Sequence, residues 1–127
     1  MKIKATDNTP RVFLDWDVKY LVLEGISYPE DAESFYFPLL SELEEKSPKY
    51  LSGGGEMGIK IQLDYFNTVS AKMIYKILRI FNKLVDSNNN TRVNLIWEIE
   101  EDDEELMEAG KDYECMFDNI DFNYKII

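Results

Sequence analysis

The chain has 127 residues, 45% of them apolar, with seven Phe, eight Tyr and two Trp, enough to pack a core as one domain over residues 1–127. It carries 25 acids against 14 bases, a net charge of −11, and so makes a poor ligand for nucleic acid, whose phosphates need a basic surface. It has no histidine and one cysteine, which excludes Ser-His-Asp and Cys-His nucleophile systems, imidazole zinc sites, thiolate clusters and CxxC redox pairs.

No apolar run reaches the roughly 18 residues of a membrane span. The opening MKIKATDNTP has no apolar segment of a secretory leader. A soluble, cytoplasmic protein is expected, with no nucleic acid and no membrane among its partners.

RVFLD (11–15) and VKYLVLEG (18–25) read as two short strands, joined by DWD in a hairpin. SYPEDAESFYFPLLSELEEK (27–46) reads as a helix, opened by Ser27, Pro29 and acids, with Ala32, Phe35, Tyr36, Leu39, Leu40 and Leu43 at helical spacing. Pro38 should kink it or divide it. SPKYLSGGGEM (47–57) has loop composition; its GGG precedes a strand, so it is not a phosphate cradle. Residues 58–66 alternate as a strand.

From Thr68 to about Asp86 the apolar set Met73, Ile74, Ile77, Leu78, Phe81, Leu84 and Val85 gives the strongest helical period in the chain. Lys72, Lys76, Arg79 and Lys83 give this helix a basic side on an acidic protein. SNNN (87–90) ends it. TRVNLIWEIEE (91–101) is a strand, DDEELMEAGKDYECMF (102–117) a helix with acids at its positive end, and FNYKII (122–127) a last strand. The order ββαβαβαβ predicts an α/β fold of mixed α+β character: a single mixed sheet of about five strands with three main helices. In architecture this is like the STAS-like domains of anti-sigma-factor antagonists.

Three features bear on function. At Asn67-Thr68-Val69-Ser70 a strand runs directly into a helix. Asn67 or Thr68 suits the N-cap, and a phosphate on Thr68 would lie over unpaired N–H groups at the helix's positive end, with Lys72 one turn on. EIEEDDEE (98–105) is rich in oxygen ligands but lacks the spacing and glycine of an EF-hand loop. With Asp64 it offers an alternative: a divalent-cation-binding protein or an enzyme, although no nucleophile or metal set accompanies it. A constitutive interaction scaffold, with Thr68 only a cap, is the plainest alternative. No catalytic residue, metal ligand or cofactor is assigned. Cys115 reads as a small buried residue.

NTPRVFLD (8–15), LEGISYPEDAESFYFPLL (23–40), LDYFNTVSAK (63–72) and EEDDEELMEAGKDY (100–113) together resemble, in order and spacing, the SiaC family of bacterial regulatory phosphoproteins. The resemblance covers nearly the whole chain and implies a non-enzymatic partner-switch protein. A cognate protein kinase would phosphorylate the YFNT segment and a PP2C-type phosphatase would reverse this. The unmodified form would bind an effector, a diguanylate cyclase in the best-known systems. By position the acceptor is Thr68, with Ser70 its one close competitor, because Val69 and Ala71 stand where family members carry more hydroxyls. Tyr65, Phe66, Asn67 and Ser70 fall in the implied contact surface, and Lys72 beside it.

Overall fold

The computed structural model describes residues 1–88 and 90–127. Strands β1 (Lys2–Ile3), β2 (Arg11–Asp15) and β3 (Tyr20–Ser27) are followed by α1 (Ala32–Leu51), β4 (Gly55–Phe66) and α2 (Thr68–Ser87). Then come β5 (Thr91–Ile99), α3 (Glu104–Met116) and β6 (Ile120–Ile126). The fold is mixed α/β, as expected, with one more strand than expected: β1 pairs antiparallel with β2 through Lys2↔Phe13 and Ile3↔Val12. Two residues are too few to leave an alternating pattern.

The strands lie in sequence order, β1-β2-β3-β4-β5-β6. The first three are antiparallel and β3 to β6 are parallel. Three successive right-handed crossovers step in the same direction, which puts α1, α2 and α3 on one face. That face is the core: Leu21, Leu23, Met57, Ile59, Ile61, Leu63, Val93, Leu95 and Trp97 pack beneath Tyr36, Leu39, Leu43, Ile74, Ile77, Leu78 and Phe81. Parallel strands usually have both faces covered. Here, among the described residues, no helix covers the second face, and it carries polar and charged side chains, Lys60, Gln62, Asn94 and Glu98 among them.

Several boundaries move. Ser27 ends β3, and the N-cap of α1 is Asp31, whose carboxylate accepts from Ser34 N at 3.1 Å. Helix α1 is one helix through Pro38, which does not divide it, and it continues through Pro48 in the expected loop. Both prolines are exposed, so the carbonyls they leave unbonded face water, while Tyr36, Leu39, Leu43 and Leu51 anchor the opposite side. Burial of that face outweighs the about 3 kcal/mol that an interior proline costs a helix.

The expected loop at 47–57 shrinks to Ser52–Gly54: α1 extends to Leu51, and β4 starts at Gly55. Gly54 and Gly55 both hold positive φ, 100° and 127°, which a side chain would resist. Of the SNNN segment, Ser87 closes α2, Asn88 is its C-cap, and Asn89 lies outside the described residues. Cys115 is exposed, not buried: it lies on the outer side of α3, whose buried positions are Gly110 and Tyr113. Among the described residues no helix is long and apolar enough to cross a membrane.

Candidate functional site

The site is the junction where β4 becomes α2. Leu63 is the last residue of β4 buried in the core; Tyr65 and Phe66 end the strand at the sheet's edge. The turn is fastened from both sides. Asn67 N–H donates to Ser27 O at 3.0 Å, holding the junction to the end of β3. Asn67 Oδ1 accepts from Ser70 N at 2.9 Å, and Asn67 O accepts from Ala71 N at 2.9 Å. Asn67 is therefore the N-cap, and Thr68 is the first residue of the helix. Of the two cap candidates, Asn67 does the work, and the exposed Thr68 side chain is not needed for it.

Thr68 and Ser70 differ sharply in environment. Thr68 is exposed, whereas Ser70 is 0% exposed. Ser70 Oγ donates to Ser27 O at 3.0 Å and accepts from Ser27 Oγ at 2.8 Å. Ser27 Oγ lies 2.7 Å from Tyr36 Oη. Since Ser27 gives its proton to Ser70, Tyr36 donates to Ser27, and the three hydroxyls form one satisfied chain under the junction. Burial raises the Tyr36 pKa above its ordinary value, against the opposing bond to Ser27, so Tyr36 stays a donor. Ser70 is thus a structural post, and the surface holds Thr68 alone of the two.

Aromatic side chains flank Thr68. Tyr65, 54% exposed, meets the exposed Tyr28 edge to face, with ring centroids 6.0 Å apart. Phe66, half-buried, sits edge-on to Trp97 at 6.2 Å. On the Phe66 side a cleft of 390 Å³ opens between α2 and α3, lined by Phe66, Thr68, Lys72, Tyr75, Tyr113 and Met116. Tyr113 Oη donates to Ala71 O at 2.7 Å and Trp97 Nε1 donates to Leu106 O at 2.8 Å, which ties α3 to α2 and to the sheet.

The helix dipole gives this end of α2 a partial positive charge, with Asp112 of α3 lining the same cleft as Thr68. Helix α1 has Glu33 in its first turn and α3 has Glu104 and Glu105; α2 has no acid there. Lys72, exposed, lies at the fourth residue after Thr68, on the same side of the helix. The expected residues Tyr65, Phe66, Asn67, Thr68 and Lys72 therefore gather around one junction, and Ser70 lies beneath it. Tyr28, Val69, Tyr75 and Met116, all exposed, were not picked out from the sequence as members of this surface. Tyr28 stands in the SYPE segment, but only strand pairing brings it to Tyr65.

The acidic run is a different place. Glu98 faces the open side of the sheet, with Lys60 at 3.8 Å and Lys125 at 3.7 Å. Asp103 is the N-cap of α3, accepting from Leu106 N at 3.1 Å. Asp64 accepts from Gln62 Nε2 at 2.9 Å and shares a small cleft with Glu98, Glu100 and Asp103. Asp64 and this run lie at the same end of the sheet, where β4 and β5 finish. Among the described residues no three carboxylates converge as a metal-ligand group.

Fold and junction together define a class: a two-layer α/β protein that presents an exposed hydroxyl, ringed by aromatic side chains, at the start of a long helix. The model of the SiaC family regulatory phosphoproteins matches residues 3–127. The chain belongs to the SiaC family. It is 26% identical, over 92% of its length and 90% of the relative's, to an uncharacterized protein of Pseudomonas aeruginosa strain UCBPP-PA14. Its fold is that of a chain in the crystal structure of the diguanylate cyclase SiaD with its activator SiaC from Pseudomonas aeruginosa. There the TM-score is 0.86 at 23% identity, covering 100% of this chain and 99% of that one. Apo-SiaC from the same organism gives a TM-score of 0.83 at 23% identity, over 98% and 97% of the two chains. These structures share the fold; the likeness to anti-sigma-factor-antagonist domains is not confirmed by them.

Proposed function

We propose that the chain is a non-enzymatic partner-switch protein whose state is set by phosphate on Thr68. The single observation that carries this reading is the contrast at the junction. Thr68 is exposed with its capping duty taken by Asn67, while its only close competitor is sealed in a hydroxyl chain. Family membership supports a regulatory phosphoprotein. The SiaC–SiaD complex is a SiaC bound to a diguanylate cyclase, which supports an effector of that kind here.

The mechanism is local. Unmodified, the junction offers the effector Tyr65, Phe66 and a neutral hydroxyl. A kinase transfers the γ-phosphoryl group of ATP to Thr68 Oγ1, releasing ADP and the hydroxyl proton and bringing about −1.5 to −2 charge to the positive end of α2. The helix accepts it without refolding, because the N–H groups of the first turn and Lys72 are at hand. The effector then meets bulk, charge and a strongly hydrated group where it had docked, and leaves. A PP2C-type phosphatase restores the bare form. The whole chain acts as one regulatory unit, in the cytoplasm, where such a cyclase would draw its nucleotide substrate.

Phosphosite mapping on protein taken from its own cells tests this, with and without PP2C-type phosphatase. A removable phosphate on Thr68 is the expected result. Phosphate on a different residue, or none under any growth condition, overturns it.

A further inference from the structure

A second surface lies away from the junction. Helices α1 and α2 run side by side, and between them on the solvent side is a groove of 760 Å³. Phe37, Leu40, Ile80 and Leu84 supply apolar lining, Lys76, Arg79 and Lys83 stand along the α2 side, and Glu44 is the one acid among the described lining residues, on the α1 side. Phe37 is 68% exposed, with no core role to explain it. In a chain of net charge −11, these three cations are exposed, and none has a carboxylate within 4.0 Å among the described residues. The basic positions in other parts of the molecule often are paired: Arg11, Lys46, Lys60, Lys111 and Lys125 all have acidic partners.

A further feature marks the same groove. Ser47, 0% exposed, lines it, and its Oγ has no hydrogen-bond partner among the described residues. A serine inside a helix ordinarily returns its proton to the carbonyl one turn back. This one does not, and an unpaired buried hydroxyl costs roughly 1–3 kcal/mol. The hydroxyl is sealed beneath the groove, so it marks the local packing and is not itself a contact for a partner.

We propose that the α1/α2 groove is a docking surface for an acidic amphipathic helix of a protein partner. An apolar floor between two parallel ridges receives the apolar side of such a helix. The unpaired cations select acidic side chains along its flank and repel basic ones. Arg79 lies eleven residues beyond Thr68, about 16 Å along the helix axis, so this surface is distinct from the junction. The junction would decide when a partner is held; the groove would decide which partner is recognised.

The probe is a labelled synthetic peptide of about 18 residues, with Leu at helical spacing on one side and Glu on the other. Its counterpart carries Lys in place of each Glu. Binding to the full chain is followed by fluorescence anisotropy. The Glu peptide is expected to bind, and to weaken several-fold as salt rises from about 50 mM to about 300 mM. Arg79→Glu with Lys83→Glu should weaken it at least about tenfold, a change of roughly 1.4 kcal/mol. Phe37→Ala, an exposed position that cannot unsettle the core, should weaken it several-fold. Lys2→Glu with Lys4→Glu, the same change of charge at the far edge of the sheet, should leave it unaltered. No binding of the Glu peptide at about 1 mM overturns the proposal. So does equal binding of the Lys peptide, or indifference to the groove variants. Sedimentation of the chain alone should show a monomer; a dimer abolished by Arg79→Glu and Lys83→Glu would give the groove to a second copy instead.

Discussion

At the residue scale, the proposed switch turns on which of two hydroxyls the fold exposes. The sequence pointed to the strand–helix junction and to Thr68 through the YFNT resemblance. It did not tell Thr68 from Asn67 as the cap, since both residue types suit that position. Nor did it reveal Ser70 as a buried post, because that role depends on Ser27 and Tyr36, distant in sequence and brought close only by the β3–β4 pairing. The difference is measurable. Ser70→Ala should lower stability by about 1–2 kcal/mol, because it leaves Ser27 with one partner fewer. Ser70→Asp should lower it by about 3 kcal/mol or more, since a carboxylate would be buried without a counter-charge. Thr68→Ala and Thr68→Asp should unfold in urea within about 0.5 kcal/mol of the parent chain. Equal tolerance at both positions would contradict the assignment of Ser70 as structure and Thr68 as surface.

At the scale of elements, the strong periods were legible and the exceptions were not. Helix α2 and strands β4 and β5 follow their apolar spacing to within a few residues, because each buries one clean face. Helix α1 defied its prolines, since local propensity at exposed Pro38 and Pro48 yields to the buried stripe beneath them. Strand β1 was invisible, and the outward turn of Cys115 was hidden by its apolar neighbours Met116 and Phe117. Gly110 in α3 also has a role that no pattern shows. A Cβ there would come within 2.8 Å of Trp97 Nε1 and 3.0 Å of Tyr124 Cε1. The glycine lets α3 lie close enough for Trp97 to reach Leu106 O. Gly110→Ala should therefore destabilise the chain by about 1–3 kcal/mol, despite alanine's better helix propensity. A thermal melt that showed the variant equal to or above the parent would refute that packing role. Asn67→Ala should cost about 1 kcal/mol through loss of the α2 cap, measured in the same way.

At the scale of the molecule, the sheet has one face covered by helices and one left open. The open face is held by a ladder of alternating charge across five strands. Arg11 Nε lies 2.8 Å from Glu24, Lys60 bridges Glu24 at 3.4 Å and Glu98 at 3.8 Å, and Lys125 meets Glu98 at 3.7 Å. The hydrogen bond from Arg11 holds the Glu24 carboxyl below its ordinary 4.5, against desolvation, with Lys60 adding to the effect. A carboxyl depressed in the folded state binds its proton more readily when unfolded. Its contribution is therefore present above 4.5 and fades as the pH falls through the lower folded value. Glu24→Gln should lower stability at neutral pH by at most about 1 kcal/mol, and the difference should vanish in acid. Melts across that range check this; a difference that grew in acid would mean that the carboxylate is not what Arg11 stabilises.

The charge ladder explains how the parallel strands of this mixed sheet can keep one face in water. On the helical side the molecule offers two surfaces, the Thr68 junction and the basic groove, both on helix α2. The most direct test of the proposed switch is the affinity of the purified chain for the diguanylate cyclase proposed as its effector, measured by calorimetry with Thr68 bare and with Thr68 stoichiometrically phosphorylated. Tight binding of the bare form, and a loss of at least about tenfold on phosphorylation, is the result this account predicts. Equal affinity of the two forms, or binding only by the phosphorylated one, would contradict it.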